Sequence, residues 1–90
     1  MEESLLLQEL EALAAELAVD VRYEDLDSRG GLCRFGGRTC LLLSRDLSVP
    51  ERVDLFAEGL AGLPLEGVFM RPRVRELLER RASKADVRSG

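Results

Sequence analysis

The spacing of apolar positions shifts along the chain, and each shift marks an element. Leu6, Leu10, Leu13 and Leu17 recur at steps of four, three and four, with Ala14 and Ala18 beside them. That spacing predicts an amphipathic helix over 4–18. Glu9, Glu11 and Glu16 take its wet side, Ser4 is placed to cap it, and Glu2 and Glu3 suit the positive end of its dipole. From Val19 the period drops to two: Val19, Val21 and Tyr23 alternate with Asp20, Arg22 and Glu24, the pattern of a half-buried strand. A polar loop follows over 25–31. Leu32 to Phe35 and Arg38 to Leu43 then flank Gly36-Gly37, a hairpin signal because a primed turn needs positive φ. Leu41-Leu42-Leu43 is apolar on both faces, so such a strand is either covered on both sides or lies at a subunit interface.

Ser48-Val49-Pro50-Glu51 predicts a capping box with proline in the first turn. A helix over 49–61 follows, burying Val49, Val53, Phe56, Leu60 and Leu63 with Ala57 alongside, and ended by Gly62 and Pro64. Residues 67–70 form a short extended piece. Pro72 opens a last helix over 72–82 with Val74, Leu77 and Leu78 facing inward, and 83–90 is expected to be a flexible tail. The expectation is one α+β domain over 1–82: an N-terminal helix, a three-stranded, mainly antiparallel sheet with a Gly-Gly hairpin, then two helices.

Composition adds limits on function. Apolar residues make up 46% and charged residues 33%, as in a globular domain. The net charge is −4, but residues 1–70 carry six basic and fourteen acidic groups, whereas 71–90 carry seven basic and three acidic. Arg71, Arg73, Arg75, Arg80, Arg81 and Lys84 therefore form a basic segment, with Arg73, Arg80 and Lys84 able to share a helical face. It reads either as a solvated face or as a contact to an acidic surface. Nucleic acid is disfavoured, because no aromatic residue is interleaved with the arginines for base stacking. Nothing approaches a membrane span, and the acidic opening Met1-Glu2-Glu3 is unlike a secretory leader, so a cytoplasmic location is expected. There Cys33 and Cys40 would normally be reduced. A two-residue Gly36-Gly37 turn would set them directly opposite each other, which leaves a redox pair or shared metal ligation open beside a plain buried pair. No serine has a histidine to activate it, and no phosphate loop occurs.

From Leu10 to Leu63 the pieces LAAELAVDVRYEDL, GGLCRFGGRTCLLLSRDLS and VPERVDLFAEGLAGL follow one another in a telling order. That order resembles the ImmA/IrrE family of zinc metallopeptidase-like domains, in which a helix, a strand, a hairpin and a serine-started helix carrying L-A-H-E-L-G-H succeed one another. The resemblance implies that Glu58 stands for the first zinc-binding histidine, Gly59 for the catalytic glutamate and Gly62 for the second histidine. Glycine has no side chain to ligate and the chain contains no histidine, so this would be a degenerate member without metal or catalysis. Gly59 inside a helix costs about 1 kcal/mol relative to alanine and needs a reason. Either a neighbouring element approaches closely there, or Leu55, Gly59 and Gly62 form a docking groove, with an exposed Leu55 favouring docking.

These readings converge on a small non-catalytic protein without cofactor, acting through protein–protein contacts. It is expected to form a homodimer and to meet an unidentified protein partner. The possible interaction surface is Leu55, Gly59, Gly62, Arg73, Arg80 and Lys84. A thiol or cysteine-metal role for Cys33 and Cys40, and anion binding by the basic helix, are the alternatives.

Overall fold

A computed structural model describes residues 2–89, and the side-chain surroundings of residues 2–82. The order is α1 (Glu3–Glu16), β1 (Val19–Glu24), β2 (Gly30–Phe35), β3 (Arg38–Ser44), α2 (Val49–Ala61) and α3 (Pro72–Ser89). The fold is α+β, as the periodicity predicts.

Helix α1 begins one residue before Ser4. Glu2 is its N-cap and makes no side-chain capping bond, so Ser4 lies inside the first turn rather than capping it. The helix buries Leu7, Leu10, Leu13 and Ala14, while Leu6 and Leu17 pack at the margin. It stops at Ala18, whose φ of 59° is left-handed. One residue in that conformation turns the chain sharply enough for β1 to start at Val19.

The sheet order is β1-β3-β2. β2 pairs antiparallel with β3, placing Phe35 opposite Arg38 and Cys33 opposite Cys40. Gly36 and Gly37, with φ of 59° and 80°, form the two-residue primed turn. β1 instead runs parallel to β3, from Val19 beside Thr39 to Glu24 beside Ser44. The sheet is thus mixed, which corrects the expectation of mainly antiparallel pairing. The physical reason lies in β3. Its run of three leucines is apolar on both faces and takes the centre, whereas β1, with alternating charges, suits an edge. The chain leaves β1, passes the end of β3 and returns along the far edge as β2. Two backbone bonds secure that crossing: Ser44 donates to the Arg29 carbonyl and Arg45 to that of Glu24, each at 3.0 Å.

Helix α2 has the predicted capping box. The Ser48 amide donates to Glu51 Oε1 at 2.8 Å, and the Glu51 amide donates to Ser48 Oγ at 3.3 Å. The Ser48 amide first, and the Ser48 side chain second, hold the Glu51 carboxyl below its ordinary value. The helix buries Val53, Leu55, Phe56, Ala57 and Leu60. Residues 67–70 form no strand. Val74 and Leu78 of α3 are buried as predicted, with Leu77 half-buried. The helix runs past residue 82, and the expected tail over 83–90 falls on residues whose side chains lie outside those described.

Helices α1 and α2 pack on one face of the sheet, against Val19, Val21, Leu41 and Leu43, while α3 packs on α2 and α1. Backbone approach is tightest at Gly30. Its φ is 110°, and a Cβ there would lie 2.1 Å from the Leu42 carbonyl oxygen. Gly30→Ala should therefore cost about 2 kcal/mol or more. Ala18→Gly, which relieves a left-handed alanine, should gain roughly 0.5–1 kcal/mol. Urea unfolding of both variants reads the two signs.

Candidate interaction surface

Helix α2 carries Glu58 and Gly59, with Gly62 at its C-cap, and arginines occupy its polar side. Asp54 and Glu58 lie one turn apart, a like-charged pair that repels if left alone. Arg29, from the loop before β2, donates to Asp54 Oδ2 at 3.3 Å and also to Glu58 Oε2. Arg81 of α3 pairs with the other oxygen of Asp54. The cluster ties loop, α2 and α3 together at the surface, and its carboxylates are spent on guanidinium groups. Among the described residues, no group of three or more metal-ligating side chains comes together.

The inner side of α2 is closed. Leu55 is only 2% exposed. A Cβ on Gly59 would meet Leu41 Cδ1 at 3.2 Å and Leu32 Cβ at 3.7 Å. A side chain there would touch Leu32 and crowd the tip of Leu41, so the sheet fills the space beside Gly59, and Gly62 is the C-cap of the helix. Leu55 and Gly59 therefore offer no docking groove, a correction to that part of the expected surface. On α3, Arg73 and Arg80 are exposed and do share one side, but Glu76 sits between them. Arg71 pairs with Glu9, Arg75 donates to the Val68 carbonyl at 3.4 Å, and Arg81 holds Asp54. Intramolecular bonds thus divert half of the basic set. Lys84 lies outside the residues whose side chains are described.

Cys33 and Cys40 are free thiols on paired residues, Cys33 exposed and Cys40 buried. They belong to a larger feature. Side chains alternate across a strand, so the face of the sheet opposite the helices carries Asp20, Arg22 and Glu24 from β1, Arg38, Cys40 and Leu42 from β3, and Cys33 and Phe35 from β2. These residues line one shallow concavity of about 470 Å³. Its centre is apolar: Leu42 is half-buried, and Phe35 at the rim is 68% exposed. The triple leucine anticipates Leu42 on this side. Phe35 is missed by periodicity, although its place two residues from Cys33 on β2 puts it on the same face.

A second apolar feature is Phe69, 83% exposed. It lines a smaller groove of about 170 Å³ against Ala12, Leu13 and Glu16 of α1. Glu9 also lines this groove and holds Arg71 through Oε1, while its buried Oε2 has no partner among the described residues.

Tyr23 fastens the covered face. Its hydroxyl donates to Glu11 Oε2 at 2.8 Å, and the Arg52 guanidinium lies 5.1 Å from its ring centroid. Burial first, and then Glu11, push the phenol up to about 12.

No family model matches this chain, and no curated protein or solved structure matches it significantly. The metallopeptidase-like resemblance therefore rests on the sequence pattern alone.

Two outcomes follow from this geometry. Asp54→Asn weakens both arginine contacts at once. It should cost about 1 kcal/mol at low salt, and the loss should shrink in about 1 M salt because the groups are half exposed. Tyr23 is the single tyrosine in a chain without tryptophan, so its ionisation is readable by absorbance. The folded chain should titrate near 12. Since the folded value exceeds the unfolded one of about 10, this contribution to stability is complete below that pH. It is lost as pH rises from there through the folded value, and Tyr23→Phe should remove that part of the alkaline decline.

Proposed function

We propose that this chain is a non-catalytic protein–protein interaction module of the cytoplasm, built on a metallopeptidase-like scaffold whose metal site has been lost. The observation that carries the reading is the bare face of the sheet. One face is sealed by α1 and α2. The other presents Leu42, Cys40, Cys33 and Phe35 within a rim of both charge signs. An apolar centre with a polar rim is the anatomy of a recognition surface, and a central strand that is apolar on both sides is normally covered on both.

The absence of a catalytic role is supported by side-chain chemistry. Glycine stands at two of the three motif positions on α2. The third, Glu58, is bound by Arg29. Neither arrangement activates water or holds an ion.

The test is site-specific photo-crosslinking in the native cell. A photoreactive residue at position 35 should capture a protein, whereas one at Glu79 on α3 should not. Equal capture at both positions, or capture at 79 alone, removes the reading.

A further inference from the structure

We infer that the occupant of the open sheet face is a second copy of this chain, laid across the first with its strands nearly perpendicular. This inference rests on the reading of that face as a docking surface and adds the partner and the geometry.

The chain as a whole is acidic, and residues 1–70 carry fourteen acidic groups against six basic. Two copies meeting through a one-signed acidic patch would set like charges together. The open face is not one-signed. It carries Asp20 and Glu24 against Arg22 and Arg38, so its charges balance around an apolar centre. A two-fold dimer needs a patch that complements itself, and a balanced patch meets that condition.

The register then selects the geometry. Asp20, Cys40 and Cys33 lie in one row across the three strands, and Arg22 and Leu42 lie in the next. Arg38 and Phe35 form the row on the other side. Relative to Cys40, Asp20 is one strand away, about 5 Å, and Arg38 is two residues along β3, about 7 Å. A two-fold axis through Cys40, lying between the sheets and bisecting those two directions, exchanges them. Arg38 of each copy then faces Asp20 of the other.

The same operation decides every other contact. It carries Leu42 onto Cys33, and it carries Phe35 to within a few ångströms of Arg22, the arrangement of a cation–π pair. Cys40 meets its own copy on the axis. Axes aligned with the sheet do worse. An axis along β3 stacks Arg38 on Arg38, and an axis across the strands lays Arg38 on Leu42. Orthogonal stacking is one of the two ways that sheets pack face to face, and this register favours it.

The experiment uses charge reversal on the full chain, with sedimentation as the readout. The wild type should be a dimer at tens of micromolar. Asp20→Arg sets two arginines against each other across the axis, and Arg38→Asp sets two carboxylates. Each single variant should dimerise roughly tenfold or more weakly. An equimolar mixture of the two should form a heterodimer. In it the retained Arg38 of one copy meets the retained Asp20 of the other, and the two introduced charges, of opposite sign, meet each other. Circular dichroism verifies that both variants fold, and both residues lie on the sheet surface away from the core. An effect within one chain would be repaired by combining the substitutions but not by mixing, so recovery on mixing supports the proposal.

A monomeric wild type, a dimer indifferent to both reversals, or a mixture that stays monomeric overturns it. The wider reading fails separately. If the wild type is monomeric while position 35 captures a different protein in the cell, the docking surface stands and the second copy falls. If position 35 captures nothing and the wild type is monomeric, both fall.

Discussion

Leu41 and Leu43 have no solvent exposure, and the other elements are arranged to keep them dry. Both sit on the central strand, so their backbone groups are paired on either side and their side chains point to one face. α1 and α2 meet over that face, with Phe56 and Leu10 fully buried among them. Burying a leucine is worth about 2 kcal/mol relative to leaving it exposed. In a chain of this size, few such contributions stand between folded and unfolded states. Placing β3 at the centre fixes where β1 and β2 must go, and this in turn demands that the chain pass the end of β3 with Gly30 pressed against the backbone at Leu42.

Local chemistry is readable from the sequence where one or two residues dictate the backbone. Gly36 and Gly37 specify a turn that little else would adopt, and Ser48 with Glu51 and Pro50 specifies how a helix begins. The apolar stripes of α2 and α3 are readable for the same reason, since burial follows the helical period. Strand order is not. An edge strand alternating Val, Asp, Val, Arg satisfies its pattern equally well parallel or antiparallel, and only the competition for the central place decides. Leu55 escapes a single-stripe reading because α2 is covered over a wider arc, by the sheet on one side and α3 on the other.

The glycine in α2 illustrates how a motif-like pattern acquires a packing cause. Gly59 lies where a side chain would crowd the tip of Leu41 and touch Leu32, so the sheet borders it closely. Asp54 and Glu58, on the same helix, are explained by Arg29 and Arg81. Neither explanation could be drawn from the helix in isolation. Arg29 comes from a loop whose position depends on the crossing between β1 and β2, and Arg81 from a helix that packs on other helices.

The parallel pairing has a kinetic corollary. Phe35 meets Arg38 across a tight turn, but Val19 and Thr39 are separated by the rest of β1, a loop, β2 and that turn. Closing the longer loop costs more entropy and is slower. Loop closure alone therefore favours the β2–β3 ribbon over the β1–β3 pairing. Without β1, the outer side of β3 is an unpaired strand border, open to pairing with a wrong neighbour.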